Sequence, residues 1–254
     1  MLNAILIAIS ILTWNTGRMG EFRKPAQNEV LQYLLQQDAD VVCLQEVDVY
    51  KDAKYLTLSD VKKSLSAKYP YSYIDFSVYN SRHQFGTMVW SKYPLIHKQS
   101  IHYESRGNLS NRCDIVVGTD TFRLFNNHLE SYRFTPEDLE DMDKIKDKWL
   151  HAFPLRNVQA QVVRKEIESS PYPVIVVGDF NSPAVSYAYQ HISKGLHDAW
   201  RTVHPWSWGG TYEYKGVGVR IDYILCSDPL KPVQAEVPDA SGSDHKPVVA
   251  TLEW

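Results

Sequence analysis

Apolar runs that end in polar residues recur along the chain, and the clearest of them covers residues 174–177. This run of four β-branched residues predicts a short strand that is buried on both faces. Gly178 lets the backbone turn, and Asp179 and Asn181 then stand two residues apart, so their side chains should point the same way. A carboxylate and a carboxamide at the end of a buried strand indicate a site of chemistry. The alternative is an Asx-type turn, in which both side chains only shape the loop.

Other predicted strands carry or deliver polar residues in the same way. These strands cover residues 9–14, 39–44, 121–125 and 219–225, and the polar residues are Asn15, Glu46, His128 and Asp222. Further short strands are predicted at residues 71–76, 86–91, 113–117 and 248–252. Because strand ends meet at the edges of sheets, we expect these polar side chains to share one site. The pattern therefore predicts one domain over residues 1–254, with two packed sheets and helices outside.

Amphipathic segments between the strands predict the outer helices. They cover residues 25–38, 57–68, 153–169 and 184–192. In the third of these, Pro154 suits a position near the helix start. The spacing of Val158, Val162 and Ile167 predicts that these three side chains face inward. The stretch 135–148 alternates acidic and basic residues, which predicts a solvated helix.

Composition limits the class of protein. The chain has 254 residues, of which 44% are apolar and 22% charged, as in ordinary globular proteins. The 27 basic and 30 acidic residues give a net charge of −3, which excludes a generally basic nucleic-acid coat protein but allows a local basic groove. Cys43, Cys113 and Cys226 match no zinc or redox spacing, so we expect no disulfide framework. The apolar run 2–12 is too short to span a bilayer, and it lacks the basic flank of a signal peptide.

The polar residues near the predicted strand ends have the composition of a hard-metal site. They comprise carboxylates, carboxamides and imidazoles: Asn15, Glu46, His128, Asp179, Asn181, Asp222, Asp244 and His245. Oxygen donors without a thiolate favour Mg²⁺ or Mn²⁺. Zinc would usually require cysteines or closely spaced histidines, and the sequence offers neither here.

Six short motifs follow one another along the chain. They are Thr13-Trp14-Asn15, Leu44-Gln45-Glu46-Val47, Asn127-His128-Leu129-Glu130-Ser131, Gly178-Asp179-Phe180-Asn181, Arg220-Ile221-Asp222-Tyr223-Ile224 and Ser243-Asp244-His245. In this order they resemble the motifs of the endonuclease/exonuclease/phosphatase superfamily, which has the deoxyribonuclease I-like fold. The resemblance implies a four-layered α/β/β/α sandwich, with two mixed sheets face to face and helices outside. It also implies metal-dependent hydrolysis of a phosphate ester.

The resemblance assigns metal and water roles to part of this set. Asn15 and Glu46 would hold the metal, with help from Asp244. Asp179 would orient or deprotonate the attacking water, and Asn181 would bind the phosphate or that water. Each residue also has an ordinary structural alternative. For example, Glu46 at a strand end is often simply solvated.

The resemblance implies that the two imidazoles act on the phosphate. His245 would stabilise charge on it and would be oriented by Asp222, while His128 would be a second imidazole there. An imidazolium neutralises an anionic phosphodiester and the charge that builds in the transition state. Taken singly, His128 could be a hydrogen-bonded loop residue, and Asp222 could instead form an ion pair with Arg220.

The substrate stays open among several phosphate esters. Arg18 follows the first polar strand end and would contact a phosphate, while Trp208 lies in an aromatic loop and would stack on a base or touch lipid. Alternatively, that loop packs on its own aromatic residues. The leading hypothesis is a Mg²⁺- or Mn²⁺-dependent phosphodiesterase, with nuclease activity as one form of it.

Two other functions remain as alternatives. One is a phosphatase or phospholipase, sphingomyelinase-like or inositol-phosphate-like, and the other is a non-catalytic binding protein with the same fold. The expected partner is a phosphate-ester substrate, either a nucleic acid or a phospholipid. We expect no protein partner and a monomer.

Overall fold

Two β-sheets form the centre of the molecule. The computed structural model describes residues 7–21, 24–103, 107–131, 142–214 and 216–254. Within these residues the first sheet consists of six strands: β1 (Ala8–Asn15), β2 (Val41–Tyr50), β3 (Tyr71–Tyr79), β4 (His83–Ser91), β13 (Lys231–Glu236) and β14 (Val248–Glu253), which lie side by side in the order β13-β14-β1-β2-β4-β3.

The second sheet has six strands in the same described part of the chain. They are β5 (Leu95–His102), β6 (Leu109–Val117), β7 (Asp120–His128), β8 (Val174–Asp179), β9 (His197–Asp198) and β12 (Asp222–Cys226), in the order β5-β6-β7-β8-β12-β9. A hairpin of β10 (Tyr212–Tyr214) and β11 (Val217–Val219) stands apart from both sheets. Each sheet has a central parallel pair, β1 with β2 and β7 with β8. The other pairs are antiparallel, so both sheets are mixed, as predicted.

Helices pack against both sheets. They are α1 (Gly17–Glu21), a 3₁₀ turn (Pro25–Gln27), α2 (Glu29–Gln36), α3 (Leu58–Leu65), α4 (Met142–Glu168), α5 (Tyr187–Ile192) and α6 (Ala199–Val203). Apolar residues of α2 and α3 pack on the first sheet, and those of α4 and α5 pack on the second. A third apolar cluster lies between the sheets. The predicted four-layered α/β/β/α sandwich is therefore confirmed. No helix in the described residues is long and apolar enough to cross a membrane.

Side chains at the helix starts explain where α2 and α3 begin. The side chain of Asn28 accepts a hydrogen bond from the Leu31 amide at 3.0 Å. Thr57 and Asp60 form a reciprocal capping box at the start of α3. Each cap satisfies amide groups that have no partner inside the helix, which fixes the first turn.

Helix α4 differs from its prediction. Pro154 lies inside the helix rather than near its start, and Val158 and Val162 are 58% and 38% exposed rather than buried. The face toward the second sheet instead carries Ala160 and Val163, and polar residues that bond to the loops after β7 and β8 share the buried side of the helix. Of the predicted solvated helix at 135–148, residues 142–148 belong to α4, and residues 135–141 lie outside the described residues.

Candidate active site

Glu46 is placed by a bulge in β2. The register of β2 against β4 shifts between Leu44 and Val47, and Glu46 has a positive φ of 51°. That conformation is uncommon for a residue with a side chain, and bulges of this kind re-aim side chains beside active sites. Thr16 holds the bulge, because its amide and its hydroxyl both donate to Gln45 O at 2.9 Å. The Glu46 side chain is 27% exposed as a result and reaches the surface of the site.

A polar link between the sheets lies directly under this bulge. Gln45 Nε2 donates to Asn126 Oδ1 at 2.6 Å and to Thr13 Oγ1 at 3.0 Å. Asn126 Nδ2 donates in turn to Leu44 O and Met88 O, both at 3.3 Å. Because these bonds are directional, they fix the strand that carries Glu46 against β7, the strand that ends in His128.

Asp179 lies at the end of β8 and is fully buried. Its Oδ2 accepts from Asn15 Nδ2 at 2.9 Å and from Asn181 Nδ2 at 3.0 Å, and its Oδ1 accepts from the Asn181 amide at 2.7 Å. Burial raises the pKa of this carboxyl, and the nearby charge of Asp222 raises it further. A carboxylate with a raised pKa is a better proton acceptor near neutral pH.

The glycine before Asp179 allows the two central strands of the second sheet to approach. Gly178 has a φ of 121°, and a Cβ there would overlap the carbonyl oxygen of Asn127 on β7. Only glycine fits both the conformation and the space. Asp179 is therefore brought level with His128, its register partner on the parallel strand.

Asp222 and His245 form a buried pair. His245 Nδ1 lies 2.9 Å from Asp222 Oδ2. Burial alone would lower the pKa of His245, but the charges of Asp222 and Asp179 raise it to about 10. His245 is therefore an imidazolium at neutral pH, with one N–H directed at Asp222. The alternative partner for Asp222 is excluded, because Arg220 Nη1 donates to both carboxylate oxygens of Asp198 at 2.9 Å.

Backbone bonds hold the segments that carry this pair. The amide of Asp222 donates to Thr211 Oγ1 at 3.2 Å, and the amide of His245 donates to Ser243 Oγ at 3.1 Å. Ser243 Oγ donates to Asn15 O at 2.7 Å, so the loop before β14 is tied to the end of β1. Hydrogen bonds of the backbone therefore fix the positions of Asp222 and His245, in addition to the bond between their side chains.

The second imidazole lies beside Glu46. His128 Nε2 is 3.3 Å from Glu46 Oε1, an ion-pair distance that is not aligned as a hydrogen bond. Burial works against ionisation of Glu46, but His128 and Asn15 outweigh it and lower the pKa of Glu46 to about 2. Burial likewise opposes the charged form of His128, and Glu46 raises the pKa of this imidazole. Glu46 is therefore a permanent anion at the mouth of the site.

The donor set fits a hard divalent cation. The site offers carboxylate oxygens, and Cys43, Cys113 and Cys226 are all buried in the core away from it. A second possible ligand group in the described residues is Asp179, Asp222 and His245, whose donor atoms lie within 4.8 Å of one another. Within this group His245 is bonded to Asp222, whereas Oδ1 of Asp222 is buried without a hydrogen-bond partner among the described residues. Glu46, in contrast, turns a partly exposed carboxylate outward.

A family model agrees with this arrangement. The model of the Endonuclease/Exonuclease/phosphatase family matches residues 12–245. The chain belongs to this family. Its members are phosphoric ester hydrolases that depend on a divalent metal and act on phosphate esters including nucleic acids, so the predicted enzyme class is confirmed.

Individual relatives are distant in sequence, and the solved structures among them share the fold. An exodeoxyribonuclease from Bacillus subtilis (strain 168) is 24% identical over 94% of this chain and 98% of its own length. A solved endonuclease/exonuclease/phosphatase from Beutenbergia cavernae DSM 12333 has a TM-score of 0.74 at 17% identity, covering 96% of this chain and 71% of that one. Truncated Caenorhabditis elegans TDP2 has a TM-score of 0.71 at 21% identity, covering 97% and 98%.

The remaining predicted residues of this family member lie around the buried centre. Asp244 is exposed, and its Oδ1 lies beside Gly17. Arg18 is exposed on α1. Trp208 is 70% exposed, and its Nε1 donates to Gly218 O at 2.6 Å. Its loop leads into Tyr212, whose ring centroid is 4.9 Å from that of His245. The contacts given above join Asn15, Glu46, His128, Asp179, Asn181, Asp222 and His245, whereas Arg18 and Trp208 are exposed on elements nearby in the sequence.

Several supporting residues gave no clear signal in the sequence. Arg156 is buried in α4, where its Nε donates to Glu130 O at 2.7 Å and its Nη1 donates to Ser182 Oγ at 3.1 Å. It joins the loops that follow β7 and β8. Thr211 supports Asp222 from a loop that is distant in sequence. An isolated arginine in an amphipathic helix, or a threonine in a loop, looks like surface in the sequence, because the partners are remote.

Proposed function

We propose that this chain, as one catalytic domain, is a Mg²⁺- or Mn²⁺-dependent phosphodiesterase that hydrolyses a P–O bond of nucleic acid by in-line attack of water. The observation that carries the proposal is that a buried carboxylate with a raised pKa, Asp179, has an oxygen within 4.8 Å of donor atoms of both Asp222 and His245. A proton acceptor and a fixed cation side by side are what hydrolysis of an anionic ester requires.

In this mechanism the protein groups divide the work. Asp179 accepts the proton of the attacking water, and Asn181 orients the phosphate or that water. His245 presents its free N–H to a phosphate oxygen, where negative charge increases in the transition state. Asp222 keeps the His245 ring protonated and oriented, and His128 is the second imidazole at the phosphate. Catalysis then depends mostly on positioning and electrostatics, as in other phosphoryl transfers.

Glu46 and Asn15 would hold the metal, with Asp244 as their helper. When bound, the cation supplies charge neutralisation at the phosphate and favours the attack of water. Asn15 donates its amide N–H groups to Glu46 at 3.2 Å and to Asp179 at 2.9 Å, and its Oδ1 accepts from the Gly17 amide at 3.1 Å. This supports a role for Asn15 in positioning both carboxylates around the cation.

Nucleic acid is the favoured substrate because of the exodeoxyribonuclease relative and the exposed Arg18 beside the site. The second candidate is a phospholipid, and a specific observation favours it. Trp206 is 98% exposed and Trp208 is 70% exposed, and both belong to the loop that leads to the His245 contact. Exposed tryptophans of this kind also suit a lipid–water interface.

A single hydrolysis panel tests these alternatives. The substrates are plasmid DNA, single-stranded DNA, RNA, bis-nitrophenyl phosphate, nitrophenyl phosphate, sphingomyelin and inositol phosphates, each with Mg²⁺, Mn²⁺ or a chelator. We expect metal-dependent cleavage of a nucleic acid and of the small diester. Turnover in the chelator would contradict the metal role. Hydrolysis of monoesters or sphingomyelin alone would replace the nuclease with the corresponding alternative.

A further inference from the structure

A band of aromatic side chains leads away from the catalytic centre along the first sheet. We define the aromatic band as Tyr50, Tyr55, His83 and Phe85. The ring of Phe85 lies 6.3 Å from that of His128 between centroids. Further out, the ring of Tyr50 lies 5.6 Å from His83 and 4.9 Å from Tyr55. The aromatic band therefore begins at an imidazole of the active site and continues to the surface, where Tyr55 is 41% exposed.

The strand register places the sheet members of the aromatic band on one face. Tyr50 on β2 pairs with His83 on β4, and Asp48 pairs with Phe85. The intervening Val49 is buried in the core beneath the helices, so Asp48 and Tyr50 face the other way, toward the active-site side. His83 and Phe85 are two residues apart on one strand, which separates them by roughly 7 Å. Successive aromatic groups thus follow a line away from the phosphate site.

The aromatic band is held rigidly and has a cation beside it. His83 Nδ1 lies 2.7 Å from Oδ1 of Asp48, whose side chain is buried. This contact fixes the orientation of a ring that is itself partly exposed. Helix α1, which carries the exposed Arg18, packs against β2, the strand of Asp48 and Tyr50.

We propose that the aromatic band binds the bases on one side of the scissile phosphate in a single-stranded nucleic acid, while Arg18 contacts a neighbouring phosphate. The inference rests on the proposed function and adds the strand form of the substrate. Every base has a π-face that stacks on aromatic rings, whereas duplex bases are already stacked on one another. A phospholipid headgroup offers no such face. A line of rings with a neighbouring cation therefore matches single strands better than duplexes or lipids.

The test compares Tyr55→Ala, Tyr55→Phe and a Tyr55→Ala/His83→Gln double variant. Glutamine is chosen at position 83 because it keeps a donor for the Asp48 carboxylate without a ring. The first measurement is the ratio of kcat/KM for a single-stranded 12-mer to that for bis-nitrophenyl phosphate. The second is the Kd of a fluorescent 12-mer, from anisotropy, with all variants in an Asp179→Asn background. In the double variant we expect the ratio of kcat/KM values to fall about tenfold, mainly because KM for the 12-mer rises. We expect the Kd of the fluorescent 12-mer to rise by about the same factor.

Two controls separate stacking from a packing role. Tyr71→Ala removes an equally exposed tyrosine at the end of β3 that is remote from His83. This variant should change neither the kcat/KM ratio nor the Kd of the 12-mer. Tyr55→Phe keeps the ring and should behave like the wild type. Unchanged affinity for the 12-mer in the double variant would overturn the inference, as would a selective loss of activity on sphingomyelin vesicles. Because the anisotropy measurement needs no turnover, it decides on the aromatic band even if the panel refutes the phosphodiesterase.

Discussion

Glu46 and Asp179 are carboxylates of one site with opposite pKa shifts. His128 and Asn15 outweigh burial at Glu46, whose pKa falls to about 2. Burial and the Asp222 charge dominate at Asp179, whose pKa rises. The first group is therefore suited to hold a cation at any physiological pH, and the second is suited to exchange a proton. The environment, rather than the residue type, divides the two roles.

Replacement of Glu46 should weaken metal binding. Glu46→Gln keeps the shape but removes the charge, so we expect at least a tenfold rise in the Mg²⁺ concentration needed for half-maximal activity. The thermal stabilisation by Mg²⁺ should fall in parallel, because a ligand stabilises only the state that binds it. Glu168→Gln, at the far end of α4, is the matched control. Identical Mg²⁺ titrations of Glu46→Gln and the wild type would remove Glu46 from the metal site.

Replacement of Asp222 should change the pH dependence through His245. The raised pKa of His245 keeps it charged until the pH approaches about 10. Asp222→Asn removes the largest favourable charge, so the pKa of His245 should fall toward its ordinary value. The imidazolium would then be lost at a lower pH, and the alkaline limb of the kcat profile should move in the same direction. Histidine NMR titration measures the pKa directly, without turnover.

A double variant tests whether these two residues act as one unit. We expect Asp222→Asn/His245→Ala to be little slower than His245→Ala alone, because groups that work through one another are not additive. Fully additive losses in kcat would break the pair. A large fall in melting temperature with normal kcat for Asp222→Asn would assign Asp222 to stability only.

At the residue scale, the sequence predicts the site members better than their supports. Asp179 and Glu46 end apolar runs, so their position on strands is visible in one short window. Asp222 was open to a pairing with Arg220, and only the folded chain shows that Arg220 bonds to Asp198 instead. Thr211 has no local signal at all, since its role depends on a hydrogen bond across the fold.

At the scale of the elements, β8 has little room for a change at Gly178. Gly178→Ala should lower the free energy of unfolding by about 3 kcal/mol or more, because the new Cβ meets the β7 backbone as well as an unfavourable φ. Gly118→Ala is the control, since Gly118 also has a positive φ but open space around it. There we expect a cost of only about 1 kcal/mol. Urea unfolding measures the loss of unfolding free energy in both variants. Equal losses would contradict a close approach of β7 and β8 at Gly178.

The polar link between the sheets should affect activity as well as stability. Asn126→Ala removes the partner of Gln45, and we expect a loss of about 1–3 kcal/mol in unfolding free energy. Its register neighbour Asn111 is also buried and bonds to Thr87 Oγ1 at 2.7 Å. Asn111→Ala should cost a similar amount of stability. Only Asn126→Ala should also reduce kcat, since Asn126 supports the Glu46 bulge. Equal kcat in the two variants would contradict this.

Strands and helices were predicted correctly where the apolar residues of the sequence are the buried ones, and less well where buried faces are polar or strands are exposed. The strand at 174–177 is buried on both faces, so its run of branched residues indicates it directly. Edge strand β5 is mostly exposed along its length and gave no such run. In α4 the valines at 158 and 162 face solvent, while the polar Arg156 and Gln159 lie on the buried face and bond to the backbone of the loop after β7. Apolar periodicity cannot show this, because the buried face is partly polar.

At the scale of the whole molecule, charge limits how nucleic acid binds. The net charge is −3, so a broad electrostatic footprint is not expected. If Arg18 and few other cations contact phosphates, the plot of log Kd against log salt should have a slope of about 1–2 for single strands. Anisotropy between 50 and 300 mM NaCl with the Asp179→Asn variant measures it. A slope of about 5 or more would reveal an extended basic surface and would contradict recognition mainly by stacking.

The position of β14 has a consequence for synthesis on the ribosome. This strand pairs with β1, yet all six strands of the second sheet lie between the two in the chain. A nascent chain that has emerged only as far as β12 leaves one side of β1 without a hydrogen-bonding partner, and exposed strand edges of this kind promote aggregation. His245 emerges just ahead of β14, so the imidazole to which we assign a catalytic role and the partner of that edge arrive together. An incomplete chain therefore lacks His245 for as long as β1 lacks this partner.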